Sequence, residues 1–232
     1  MGMLDPLYWM MIAPGLLLAL YATYKVKSTF KKYSEVGSSR GYTGAQAAME
    51  MLRREGITGV EIERVSGNLS DHYDPRSRTL RLSEPVFDSR SLSAIGVACH
   101  EAGHAIQHAR AYAPLALRSA LVPVTNICST LWIWVLMIGM FAGSILMAKI
   151  AVGMLAVAVV FALVTLPVEW DASSRAKHAM MTQGLLSPQE LPHANQVLNA
   201  AFLTYLASAV TAILTLLYYL IRLGLIGGRS ED

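Results

Sequence analysis

Cysteine and charge are both scarce in this chain. Its 232 residues include two cysteines, Cys99 and Cys128, each inside an apolar run, and nothing in the sequence brings them together. A disulfide framework is not indicated, and Cys99 reads as helix packing. Charged residues make up 15% of the chain against 54% hydrophobic, too apolar for an ordinary soluble domain of this length. No nucleotide-binding glycine loop, internal repeat or nucleic-acid patch is present. The net charge of +3 is small, but the charges fall in a few polar stretches between long uncharged ones. That distribution belongs to an integral membrane protein.

The first uncharged stretch, Pro6 to Tyr24, is long enough to cross a bilayer of roughly 30 Å. Asp5 precedes it and Lys25, Lys27, Lys31 and Lys32 follow, the reverse of a cleaved leader, so it is expected to remain as an anchor. The lysines place its far end in the cytosol and the N-terminus outside. Beyond Arg118, Ser119 to Ala148 and Ile150 to Val168 are uncharged on either side of Lys149, which predicts a transmembrane hairpin turning near that lysine. Arg175 and Lys177 return the chain to the cytosol. Ser187-Pro188-Gln189-Glu190 resembles a helix start, and a fourth span covers about Ala200 to Ile221. The expected segments are therefore an anchor (1–24), a cytosolic α+β region (25–118), a hairpin (119–168), a cytosolic helical segment (169–199) and a last span with a short tail (200–232).

In the polar region, Thr43 is placed to cap a helix through Ala45 to Arg54 that Gly56 closes. Val60 to Glu63 alternates as a half-buried strand does, and so does Thr79 to Ser83 after the turn-rich segment from Asp71 to Arg76. The second strand, through Thr79, Leu80, Arg81 and Leu82, either offers an edge for an extended peptide or merely completes a small sheet.

The chemistry concentrates in His100-Glu101-Ala102-Gly103-His104, inside an apolar run that opens with Ser91. On a helix, His100 and His104 lie one above the other and can grip one ion, with Glu101 beside it. The pattern is H-E-x-x-H, in which imidazoles suit zinc, zinc lowers the pKa of bound water to about 7, and the carboxylate takes the proton. It implies hydrolysis of an amide. The bare pattern is short and arises by accident on polar helix faces. In an apolar helix, however, the glutamate is costly to bury without a metal.

Catalytic zinc usually has three protein ligands. His108 lies roughly 6 Å further along the axis than His104, away from an ion held by the two histidines. Glu169 is the first charge after an uncharged span, where an acid is expensive unless partnered or functional. The small residues Gly103 and Ala172 would let two helices approach there. Asp171, His178 and His193 are its rivals.

Gly67 to Pro75, Leu80-Arg81-Leu82-Ser83, Val97 to Gln107 and Glu169-Trp170-Asp171-Ala172-Ser173, together with the N-terminal anchor, carry a resemblance over nearly the whole chain. The sequence resembles the YugP-like family of bacterial membrane-bound neutral zinc metallopeptidases and, more distantly, the HtpX and CAAX-prenyl endopeptidases. The resemblance implies a gluzincin-like site, with His100, His104 and Glu169 as ligands of one zinc ion and Glu101 as general base. The distant relatives usually carry an Asp four residues after the ligand glutamate. Here that position is Ser173, so Asp171 or Asp71 is expected to orient an imidazole instead. His72 or Tyr73 is a candidate to stabilise the oxyanion.

The expected protein is thus mainly α: an inner-membrane protein of about four transmembrane helices with a small cytosolic α+β gluzincin-like unit and both termini outside. It would cleave peptide or membrane-protein substrates at the cytosolic face, with lipid as its other partner and no nucleic acid. The alternatives are a zinc-binding scaffold or assembly factor without turnover, and a protease of C-terminal lipidated peptides. A topology reporter fused after Lys32 or Arg110 should read cytosolic and one after Ser230 external. A cytosolic C-terminal reading would remove one span.

Overall fold

A computed structural model describes residues 5–226. Met1 to Leu4 and the expected polar tail from Gly227 to Asp232 lie outside the described residues. The elements in order are α1 (Pro6–Ser34), α2 (Gly44–Arg54), β1 (Glu61–Val65), β2 (His72–Asp74), β3 (Thr79–Ser83), α3 (Glu84–Phe87), α4 (Leu92–Ala109), α5 (Ala113–Phe141), α6 (Ile145–Thr182) and α7 (Leu191–Arg222). The described residues are mainly helical, with one small sheet. Among the described residues four helices, α1, α5, α6 and α7, are long and apolar enough to cross a membrane.

The residues group into two compact units. The first takes the described residues of Met1–Tyr21, Leu117–Leu166 and Thr204–Asp232. Its surface carries large apolar side chains, among them Leu17, Leu20, Ile127, Trp134, Phe141 and Leu146. Such a surface suits lipid rather than water. Its helices meet at small residues: a Cβ on Gly15 would sit 2.9 Å from the Thr211 hydroxyl, and one on Gly139 2.8 Å from the Met147 Cβ.

The hairpin turn falls at Ala142 to Ser144 rather than near Lys149, which lies inside α6. Gly143 adopts a φ of +62°, which a residue without a side chain tolerates best. The Ser144 hydroxyl accepts from the Met147 amide at 3.4 Å and starts the next helix. Local turn chemistry sets the reversal, and one lysine near the end of a span does not interrupt it. Similarly, Ser187 to Glu190 is a turn in which the Glu190 carboxylate accepts from the Ser187 amide at 2.8 Å, and α7 runs unbroken from Leu191.

The second unit comprises Ala22–Ala116 and Pro167–Leu203. Thr43 caps α2 in a reciprocal capping box with Gln46, and Ser91 caps α4 by accepting from the Ala94 amide. Each cap satisfies a helix amide that would otherwise lack a partner, worth about 1 kcal/mol. The core is made of Met51 and Leu52 of α2, Leu80 and Leu82 of β3, Leu92, Ile95 and Ile106 of α4, and Met180, Leu185 and Leu198 beyond them.

The sheet order is β1-β3-β2, with β1 parallel and β2 antiparallel to β3. This corrects the expectation that Thr79, Leu80, Arg81 and Leu82 form an edge for a substrate. Both sides of β3 are already paired, and Leu80 and Leu82 are fully buried. The outer strands are β1 and β2, and β2 packs against α4.

Gly44, at the start of α2, packs against the Val86 carbonyl so closely that a Cβ would collide with it, whereas a Cβ on Gly37 meets nothing within 4 Å. Gly44→Ala should therefore lower thermal stability of the purified protein by about 1–3 kcal/mol, with Gly37→Ala close to wild type. Equal melting temperatures for the two variants would contradict this packing.

Candidate metal centre

The centre is built from α4 and the part of α6 that follows Pro167. Helical spacing puts His100 and His104 on one face of α4, with ring centroids 4.8 Å apart. The helices can meet because the facing residues are small: a Cβ on Gly103 would lie 2.6 Å from the Ala172 carbonyl oxygen. This contact draws Glu169, three residues before Ala172, against both imidazoles. One Glu169 oxygen, Oε2, lies 3.1 Å from His100 Nε2 and 3.5 Å from His104 Nε2. One potential ligand atom from each residue falls within 4.8 Å of the others, and all three residues are buried. Glu169 is 1% exposed.

Each imidazole is fixed from behind. His104 Nδ1 lies 3.0 Å from Gln107 Oε1, while Gln107 Nε2 donates at 2.8 Å both to the Val168 carbonyl and to Asp171 Oδ2. Two acceptors on the nitrogen side orient the amide, so its oxygen faces His104 and Nδ1 must carry the proton. Nε2 is then the atom with a lone pair to offer. Asp171 is itself held by Arg175 Nε at 2.6 Å. His100 Nδ1 lies 3.1 Å from the Ser173 hydroxyl, so its Nε2 also points at Glu169.

Two nitrogens and one carboxylate oxygen, buried and turned toward one point, match the donor set and number of a catalytic zinc site. Burial opposes charge on His104, but the Glu169 hydrogen bond and the nearby Glu101 charge outweigh it, so its pKa is raised. Glu101 lies beside the pair with part of its side chain still exposed, and the loss of water around its carboxyl raises the pKa against the opposing pull of His100 and His104. Cys99, fully buried on α4, has its thiol pushed up to about 12 by burial, which leaves it inert.

The other expected site residues are placed differently. Asp71 accepts from the Ser83 amide at 2.7 Å and from its hydroxyl, and so ties the β2 entry to the end of β3 rather than facing an imidazole. Asp171 reaches His104 only through Gln107. His72 is exposed, with Nδ1 2.8 Å from the Ser70 carbonyl. The Tyr73 hydroxyl lies 2.9 Å from His108 Nδ1. Of the rival ligands, His108 takes this tyrosine and His193 stacks on Tyr33 at 5.1 Å, so neither joins the cluster. Gln107 and Ser173 were not expected as imidazole partners. Gln107 comes three residues after His104, and a polar side chain inside an apolar helix was the available signal.

Removing the Gln107 amide should loosen the metal without removing a ligand. Gln107→Leu is expected to weaken zinc binding about 10- to 100-fold in a competition titration against a chelator. An unchanged affinity would show that the amide does not hold His104.

The family described as "Putative neutral zinc metallopeptidase" matches residues 8–224. "Putative membrane protease YugP" of Bacillus subtilis (strain 168) is 44% identical over 215 residues, covering 93% of this chain and 95% of that protein. No solved structure matches. The family match contains both helices of the centre and all three clustered side chains, and the chain belongs to the YugP-like neutral zinc metallopeptidase family.

Proposed function

We propose that the protein is a gluzincin-like endopeptidase in which His100, His104 and Glu169 hold one zinc ion and Glu101 is the general base. The observation that carries this reading is the buried convergence of the two Nε2 atoms on one Glu169 oxygen. A bound zinc ion would supply Lewis acidity, acidifying water and polarising a peptide carbonyl. The Glu101 carboxylate takes the proton released by the attacking water and delivers it to the leaving amine. Gln107 and Ser173 keep the imidazoles fixed while this happens.

With β3 paired on both sides, the substrate backbone is assigned to the outer side of β2, the edge strand that packs on α4. The lysines after the first span and the basic residues after Glu169 support a catalytic centre at the cytosolic face of a bacterial inner membrane, with both termini outside. The substrates are peptides or membrane proteins. The cytosolic α+β region is assigned to 25–118 and 169–199, and the spans to 1–24, 119–168 and 200–232.

Zinc content and turnover separate this reading from a metal-binding scaffold. Wild-type protein should hold one zinc and cut peptides; Glu101→Gln should keep the zinc and lose hydrolysis; His100→Ala, His104→Ala and Glu169→Gln should lose zinc. Full activity of Glu101→Gln would overturn the mechanism. A zinc-loaded wild type that cleaves nothing in a membrane-proteome digest would favour the scaffold.

A further inference from the structure

The helix that carries the two histidines also walls a pocket which the chemistry above leaves unused. It lies in the second unit and encloses about 300 Å³. Ile57, Val60, Ala105 and Ala109 supply an apolar lining, and the hydrogen-bonded Tyr73–His108 pair supplies polar groups. Arg78 is exposed at the same pocket. Several arginines of this unit are committed: Arg53 and Arg54 to Glu50, Arg64 to Asp88, and Arg81 to Glu63 and Asp74. Arg78 pairs with no carboxylate among the described residues. It occupies the left-handed region at φ +53°, immediately before β3, a backbone position rarely adopted by a long side chain.

The position of the pocket is informative. Ala105 adjoins His104, and His108 and Ala109 are one helical turn further, about 6 Å along the axis. An extended peptide advances about 3.3 Å per residue. A chain lying beside β2 and α4 with its scissile bond at the histidines therefore reaches the pocket within one or two residues. The volume accepts a large side chain, the lining favours an apolar one, and the free guanidinium favours a carboxylate next to it.

We propose that this pocket is a substrate-selectivity subsite for an apolar side chain that adjoins a carboxylate. The carboxylate comes either from the peptide's own C-terminus or from an acidic residue next to the apolar one. Arg78 pairs with it while Ala109 and Val60 set the size of the side chain admitted. Tyr73 and His108 then act as a fixed polar wall of this subsite. This inference rests on the peptidase reading, so its test includes binding as well as cleavage.

Four probes are titrated into zinc-loaded Glu101→Gln protein in detergent and followed by ligand-observed NMR: acetyl-leucine, acetyl-leucine amide, acetyl-leucyl-aspartyl amide and acetyl-leucyl-lysyl amide. One or both carboxylate-bearing probes should bind roughly two- to fivefold more tightly than the neutral and basic ones, as a single exposed charge pair allows. Preference for acetyl-leucine assigns the carboxylate to a C-terminus, and preference for the aspartyl probe assigns it to a side chain. Adding Arg78→Glu should reverse the preference, and adding Ala109→Trp should abolish binding of all four. A preference that survives both substitutions would place the carboxylate on the metal and overturn the subsite.

In parallel, wild type, Arg78→Glu and Ala109→Trp are given the same proteome-derived peptide library. Residue preference should change at one position on one side of the cut. Cleavage with identical preferences in all three proteins would overturn the subsite and leave the peptidase standing. An uncut library, with the probe preference still following Arg78, would leave the binding site standing and remove the peptidase.

Discussion

A carboxylate almost entirely withdrawn from water between two imidazoles is the constraint around which the rest of the second unit is arranged. Taking an ion of that size out of water costs several kcal/mol even after relaxation, so Glu169 is tenable only with partners of opposite or adaptable charge. The two histidines are such partners, and so is a divalent cation held among all three. The geometry serves both roles, because the atoms that now hydrogen-bond are the ones a zinc ion would use. The remaining features bring this set together and hold it. Gly103 and Ala172 let two helix backbones approach, and Gln107 uses both amide donors on the Val168 carbonyl and Asp171, which turns its oxygen to one imidazole. Leaving that buried amide unsatisfied would cost about 1–3 kcal/mol. Its orientation is therefore strongly held, and with it the tautomer of His104.

The first unit answers to a different solvent. Its large exposed apolar side chains need lipid, and its helices pack through glycines where lipid supplies no hydrophobic drive between them. Polar chemistry is confined to particular places, such as the start of α1 and the end of α7, where Asp5 accepts from the Tyr218 hydroxyl at 2.8 Å and pairs with Arg222 at 3.2 Å. The second unit instead has a mixed core built on α4, with the sheet and α2 packed around it. A chain that serves two solvents need not be interrupted between them: α6 carries both a long uncharged run and Glu169 in one helix.

What could be read from sequence was what local rules encode. Spacing of four put both histidines on one helix face, serine and threonine marked the starts of α4 and α2, and uncharged length marked four helices. Glu169 stood out because it ends an uncharged run, which is also a local signal. What escaped depends on partners distant in sequence. His72 to Asp74 is short and polar and has the local signals of a turn, and its pairing with β3 is what makes it a strand. That same pairing moves β3 to the centre of the sheet. The roles of Gln107 and Ser173 depend on which side chain α6 presents to α4, and no spacing rule within either helix reports that. The charge of Lys149 points to a turn near it, although Gly143 and Ser144 carry the turn chemistry.

The identity of the atoms around the metal tests this account most directly. X-ray absorption at the zinc edge of the purified wild-type protein should show nitrogen from two imidazoles together with carboxylate oxygen at about 2.0–2.2 Å, and no sulfur. A sulfur shell at about 2.3 Å, or a third imidazole in place of the carboxylate, would contradict it, because Cys99 or another histidine would then hold the position assigned to Glu169.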